Sequence, residues 1–310
     1  MIKTVKKAII ITGPTATGKT ALSIDLAKKI DGEIVAADSM QIYRYMDIGT
    51  AKPTLEEQQG IVHHMISIVD PKESYSVSLY KDDALKCIED IYARGKTPII
   101  VGGTGLYINA LTYDMDFSNT IKNESYRDEL KQIAKEDGNN ELFKLLLEKD
   151  PIAAQKLNKN DVKRVIRALE VKETTGKSIY EKADDFKNAD PPFPYEIFAL
   201  LFDREILYKR IDMRVDIMIN NGLIDEMQHL LDMGVTREMQ SMQGIGYKQL
   251  FDYFENKASL DDTIELIKRE TRRYAKRQLT WFRHDKRIRF LDANGSKCFK
   301  NQLMDILKIH

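Results

Sequence analysis

The chain has 310 residues, 43% hydrophobic and 31% charged, and its 48 basic and 48 acidic side chains cancel. That length allows one large core, or one core with an inserted lobe; the charge balance excludes attraction to nucleic acid by bulk charge, so any such attraction must come from a local patch. Only two cysteines occur, Cys87 and Cys298, without metal-ligand spacing, which excludes a disulfide scaffold and fits a reducing cytosol.

The start, "MIKTVKKAIIITGP", is basic and then apolar, but its apolar run of about five residues is shorter than the ~7–15 of a signal-peptide core. No stretch approaches the ~20 apolar residues of a membrane span. A cytoplasmic protein with no membrane partner is expected. "AIII" (8–11) reads as a buried parallel strand. It runs into "GPTATGKT" (13–20), and "ALSIDLAKKI" (21–30) follows with a mostly helical pattern. "EIVAAD" (33–38) reads as a second strand and "HMISIVDP" as a short third. Residues 76–95 carry Val77, Tyr80, Ala84, Ile88 and Ile91 at helical spacing, and "TPIIVGG" (97–103) is another buried strand. This alternation predicts a three-layer α/β domain with a mainly parallel sheet.

From about residue 116 the strands give way to helical patterns broken at "DGNN" and "DP", then a proline-bearing connector at 184–195. "EIFALLF" (196–202) resumes the strands, long helices return at 204–233 and 259–285, and "IRFLDA" (288–293) is a late strand. The expected fold class is therefore α/β: a P-loop NTPase-like core of residues 1–115 and 196–310, interrupted by an all-helical lobe of residues 116–195.

"GPTATGKT" follows a strand and opens a helix, the context in which Gly-x4-Gly-Lys-Thr binds phosphate. Gly13 and Gly18 let backbone N–H groups turn inward around Pro14, Thr15, Ala16 and Thr17, and the helix adds its positive end. Lys19 places a cation on the phosphates, and Thr20 can hold a Mg²⁺ that bridges them. The pattern says that a polyphosphate binds, without saying whether it is a nucleotide tail or a leaving group. Asp38 falls at the carboxyl edge of the second strand, where open α/β sheets bind ligands. It could accept a proton, bind a metal through water, or cap the Asp-Ser turn. "GGTGLY" (102–107) closes the next strand at the same edge and offers Thr104.

In series, "GPTATGKT", "DSMQIYRYMDIGTAKP", "HHMISIVDP", "YSV", "GGTGLY", "NDVKRVIRALE", "RIDMRVDIM", "GIGYKQL" and "RRYAKRQLTWFR" resemble the tRNA dimethylallyltransferase (tRNA isopentenyltransferase) family over nearly the whole chain. The resemblance implies that the loop holds the pyrophosphate of dimethylallyl diphosphate, whose five-carbon group passes to the N6 amine of an adenine at tRNA position 37. It assigns Asp38 as the base, with Lys19, Mg²⁺ and Arg214 stabilising the leaving group. Asp38, Ser39, Met40 and Gln41 would line the pocket for the flipped-out adenine, Gln41 pairing bidentately with its edge. Family segments that touch tRNA match Thr104, Arg127, Lys163, Arg164, Arg167, Gln243, Gly246, Tyr247 and Lys248. Gln243 departs from the arginine that some members carry.

Residues 268–289 hold ten Lys/Arg against two acidic side chains, among them Arg272 and Lys276. Ile264, Ile267, Thr271, Tyr274, Gln278 and Trp281 form the seam expected to face the core, leaving the cations to meet RNA phosphates. A monomer is expected. The rival readings are an ATP-dependent nucleoside or metabolite kinase, a prenyltransferase of free adenine nucleotides, and an RNA-binding or nucleotide-switch protein without transfer chemistry.

Overall fold

The computed structural model describes residues 7–113, 123–181, 191–292, 294 and 299–308. Cys298 and most of the proline-bearing connector lie outside the described residues. The β-branched run near the start forms β1 (Ala8–Thr12), buried along its whole length. It is joined by β2 (Gly32–Ala36), β3 (His63–His64), β4 (Thr97–Val101), β5 (Tyr195–Leu201) and β6 (Ile288–Asp292). The sheet order is β3-β2-β4-β1-β5-β6, with every neighbouring pair parallel. Strands buried on both faces need apolar residues at successive positions, which explains the unbroken isoleucines.

The side-chain alternation of two divides these strands between two cores. Ile10, Val35, Ile100 and Ile197 face one core. This core is built with α3 (Val77–Ala93), α4 (Gly105–Thr112), α9 (Arg204–Asn220), α10 (Leu223–Asp232), α11 (Tyr247–Phe254) and α12 (Leu260–Arg283). Ile9, Ile11, Ile34, Ile99, Phe198 and Leu200 face the other, beneath α1 (Lys19–Ile30) and α13 (Phe299–Leu307). Each fully buried isoleucine contributes about 1.5–3 kcal/mol relative to exposure. Helix starts are set by side chains: Ser76 accepts from Leu79 N–H at α3, and Ser259 from Asp262 N–H at α12.

The chain divides into two compact units, Met1–Thr112 with Pro192–His310, and Tyr113–Pro191. Both joins fall a few residues earlier than the sequence suggested. The second unit packs α5 (Glu124–Glu136), α6 (Asn139–Lys149), α7 (Pro151–Ala154) and α8 (Val162–Thr175) around its own core of Leu130, Leu142, Leu146, Val165 and Leu169.

Three local expectations are corrected. "HMISIVDP" supplies to the strand only its opening His64, paired in β3 with the preceding His63, because Met65 and Ser67 adopt left-handed backbone (φ 64 and 52) that breaks the extension. Val69 meets only an isolated parallel bridge with Tyr43. The helical run 204–233 is two helices, separated where Gly222 turns at φ 95. Trp281, placed in the buried seam of α12, is 44% exposed, whereas Ile267 and Gln278 of that seam are buried.

Candidate active site

The phosphate-loop residues leave β1 and enter α1 through Gly18, which caps the helix in left-handed geometry (φ 86). Among the described residues no side chain caps α1, so its first-turn N–H groups and positive dipole end remain open to an anion. The loop is tied internally: Thr17 Oγ1 donates to Pro14 O at 2.9 Å. Lys19 Nζ reaches back to Gly13 O (3.0 Å) and Pro14 O (2.7 Å). From other elements, Arg210 Nε donates to Ala16 O at 2.7 Å while its guanidinium lies over the Phe202 ring. Gln278 of α12 accepts the Thr15 N–H at 3.0 Å and donates to Gly103 O at 2.8 Å.

Asp38 sits two residues past the end of β2, at the same sheet edge. Its Oδ1 accepts from Met40 N–H (2.9 Å) and more weakly from Gln41 N–H (3.4 Å). The capping role foreseen for it is therefore real but occupies one oxygen; Oδ2 has no hydrogen-bond partner among the described residues. Thr104 belongs to the same cluster, its Oγ1 accepting from Ser39 N–H at 3.1 Å and donating to Ser39 Oγ at 3.4 Å.

Lys19 and Arg214 bring two cations to this edge. The Lys19 residue keeps some exposure, but its ammonium lies deep, and burial lowers its pKa to about 7, with the Arg214 charge adding and the Asp38 charge opposing. Burial likewise lowers Arg214, against the attraction of Asp38 and Glu57. Arg214 has no ion pair or hydrogen bond among the described residues. Two desolvated cations that no carboxylate pairs with directly among the described residues are poised for an anion.

Gln41 departs from its expected role. Its Nε2 donates to Thr50 O (3.1 Å) and Ala51 O (3.2 Å). Two carbonyl oxygens can only face the NH₂ end, which fixes the amide orientation. With both donors spent, Gln41 offers an acceptor, Oε1, and not a bidentate pair.

The other sequence candidates divide by exposure and pairing. Gln243 and Lys248 are exposed, Gly246 is buried at the start of α11, and Gln243 Nε2 donates to Arg237 O. Tyr247 is only 1% exposed, with its hydroxyl donating to Glu226 Oε1 at 2.6 Å. Burial first, then the Glu226 charge, pushes its pKa far up. On α12, Lys276 is exposed, while Arg272 pairs with Asp212 and Arg273 with Glu270. Within the helical unit, Lys163 and Arg164 are exposed, Arg164 beside Asp161. Arg127 grips the fully buried Glu170 through Nε (2.7 Å) and Nη2 (2.8 Å), and Arg167 joins at 2.5 Å. Burial raises the Glu170 pKa, but the hydrogen bonds from Arg127 and Arg167 prevail and the net shift is downward.

Three site neighbours were not singled out from sequence as site residues: Gln278 and Tyr274, read only as core seam, and Glu226. Burial and the Asp38 charge push the Tyr274 hydroxyl up to about 12, and hydrogen bonds with Thr104 and Gln278 oppose the shift. Their partners lie far off in the chain, so only the fold reveals them.

A parallel α/β sheet, a phosphate loop and a carboxylate beside two cations without an ion pair among the described residues define a group-transfer enzyme acting on a phosphorylated donor. Comparisons make this specific. The family model described as IPP transferase matches residues 41–285, and one described as isopentenyl transferase matches 6–70. The tRNA dimethylallyltransferase of Carboxydothermus hydrogenoformans is 51% identical over 93% of this chain and 92% of its own. That of Acetivibrio thermocellus is 49% identical over 92% and 91%. Among solved structures, the tRNA isopentenylpyrophosphate transferase of Bacillus halodurans superposes with a TM-score of 0.73 at 43% identity, covering 97% of this chain and 94% of its own. A eukaryotic dimethylallyltransferase captured acting on tRNA gives a TM-score of 0.84 at 32% identity, covering 98% and 79%. The chain belongs to the IPP transferase family, the enzymes named tRNA dimethylallyltransferases. These relatives are named for prenyl transfer and not for phosphorylation, which sets aside the kinase reading.

Proposed function

We propose that this enzyme transfers the dimethylallyl group of dimethylallyl diphosphate to the N6 amine of the adenosine at tRNA position 37, beside the anticodon, and releases diphosphate. The observation that carries the reading is the placement of Lys19 and Arg214 beside Asp38: both charged groups are desolvated, the Arg214 charge opposes that of Lys19, and neither cation has an ion pair among the described residues. A diphosphate anion would satisfy both.

N6 is a weak nucleophile because its lone pair is delocalised into the purine. Attack on the allylic carbon forms the N–C bond as the carbon–oxygen bond breaks, and the bonding electrons leave on diphosphate. The N6 proton passes to Asp38, whose Oδ2 is uncommitted. Charge gathers on the leaving group, where the open amides of the loop, Lys19 and Arg214 stabilise it. Gln41 Oε1 accepts the remaining N6–H, and Ser39, Met40 and Thr104 border the base.

Among the described residues no three His, Cys, Asp or Glu side chains gather to hold a metal by themselves. Mg²⁺ keeps several waters and takes much of its coordination from phosphate, so the lone Thr20 hydroxyl at the head of α1 fits a Mg²⁺ arriving with the donor. When bound, the ion would neutralise part of the diphosphate charge.

For RNA, the exposed cations among the matched positions are Lys163 and Arg164 of the helical unit, and Lys248 and Lys276 of the core, with Gln243 a polar contact. Arg127, Arg167 and Arg272 would act from within their ion pairs, while Gly246 and Tyr247 would act by supporting backbone. The described residues contain no helix long and apolar enough to cross a membrane. The proposed setting is the cytoplasm, and the proposed working unit is a monomer. The test is mass spectrometry of digested tRNA after incubation with dimethylallyl diphosphate, with ATP as control donor. A single adenosine heavier by one dimethylallyl group is expected. Phosphorylation from ATP without prenylation would overturn the reading.

A further inference from the structure

Between Asp38 and α2 (Leu55–Gln58) the chain makes a tight loop, 44–53, that the reaction scheme leaves unused. Its backbone is strained: Tyr45 and Ala51 stand at φ 63 and 48, in left-handed space that side chains disfavour. Such geometry persists only where the surroundings impose it. At the middle of the loop one carboxylate gathers three consecutive backbone amides. Glu226 of α10 accepts the N–H groups of Asp47 and Ile48 on Oε2, both at 2.7 Å. Its Oε1 accepts Gly49 N–H at 3.0 Å and the Tyr247 hydroxyl at 2.6 Å. The Tyr247 ring lies against Gly49 so closely that a Cβ there would meet it at 2.5 Å. At the loop's far end the buried Lys52 ammonium donates to Tyr43 O and to Asp47 Oδ1. The carbonyls that hold the Gln41 amide, those of Thr50 and Ala51, are the next two on the clamped loop.

We propose that Glu226, seated by Tyr247, is a positioning residue for prenyl transfer: it fixes the 47–51 loop, and through the Thr50 and Ala51 carbonyls aims the Gln41 oxygen at the acceptor amine. This rests on the tRNA prenyl-transfer reading above. Glu226 touches neither donor nor acceptor. Its two oxygens are both needed as acceptors, each for two donors, so an amide at this position would turn an NH₂ toward at least one N–H it must accept. The "GIGY" segment thereby acts as the buttress of the acceptor pocket, with the Tyr247 ring turned inward.

The experiment is single-turnover prenylation of an anticodon stem-loop at saturating donor and RNA, for wild type, Glu226→Gln, Gln41→Ala and the double variant. Donor affinity and melting temperature are measured beside it. Glu226→Gln should slow transfer by about 10–100-fold, the usual consequence of misplacing a reacting group by around an ångström, while donor affinity stays within about twofold of wild type. The double variant should be no slower than Gln41→Ala within about threefold, because both changes remove one device. A merely structural Glu226 would instead multiply the two effects and weaken donor binding in step with melting, and that result overturns the proposal. So does wild-type speed in Glu226→Gln. Should that variant not fold, Tyr247→Phe removes one of the four donors while keeping the ring, and must show the same non-additivity with Gln41→Ala. Absence of transfer by the wild type would instead overturn the functional reading itself.

Discussion

At the scale of residues, Asp38 and Lys19 do different work and can be separated by experiment. Asp38 uses Oδ1 to hold its own turn and keeps Oδ2 uncommitted. Asp38→Asn preserves an oxygen for the turn and removes the proton acceptor. We expect transfer to slow by roughly 10²–10⁴ with both substrate affinities nearly unchanged, the signature of lost acid–base catalysis. Near-normal single-turnover rates would remove Asp38 from the chemistry. Lys19 yields a proton-linked prediction. Its pKa without donor is lowered to about 7, so the ammonium is protonated below that pH and increasingly neutral above it. A bound diphosphate draws the proton back. Donor binding at pH 8 should therefore take up close to one proton, and donor affinity should fall as pH rises from about 7. Calorimetry in buffers of different ionisation enthalpy reads the uptake directly. The same uptake in Lys19→Ala would assign it to another group.

At the scale of elements, what the sequence disclosed was what is local. The phosphate loop, the turn after β2 and the glycines after β4 are contiguous patterns whose strand-to-helix context can be read without a fold, and they do meet at one sheet edge. The ties between them were not legible, because Gln278 lies 263 residues from Thr15 and Glu226 178 residues from Ile48. Helical spacing placed Gln278 in a buried seam but could not name its partners. The same spacing misplaced Trp281, since periodicity gives direction around a helix and not what covers it. "HMISIVDP" failed as a long strand because apolar content does not report the left-handed turns at Met65 and Ser67. Gln278 makes α12 the strut between the phosphate loop and the Thr104 turn. Gln278→Ala leaves the buried Gly103 carbonyl without this donor, a loss of about 1–3 kcal/mol of stability. It also frees the Thr15 amide from its anchor. Urea unfolding should register the first effect, and a rise in donor KM larger than that for tRNA the second. Equal rises in both constants would count against the strut.

At the scale of the whole molecule, a chain of zero formal charge must assemble its attraction for RNA from local excess. The ten cations of residues 268–289 suggest a continuous basic face, but the fold spends several of them. Arg272 is held by Asp212, Arg273 by Glu270, and Lys268 by Asp216 and Glu265. A cation already paired releases fewer counterions when it meets a phosphate, since its own partner must first be displaced or left to repel the RNA. Each unencumbered phosphate contact contributes about 0.7–0.9 to the slope of log affinity against log salt. Neutralising Arg272, Arg273 and Lys276 together should therefore flatten the slope by roughly one to two, short of three full contacts. Lys276→Gln alone should account for about 0.7–0.9 of that change, because Lys276 is exposed and no acidic partner holds it among the described residues. The measurement is tRNA affinity from low to moderate salt for wild type, the single variant and the triple variant. Slopes that coincide for all three would return this helix face to ordinary solvated surface. A fall by three full contacts would show that the ion pairs with Asp212 and Glu270 open freely when RNA arrives.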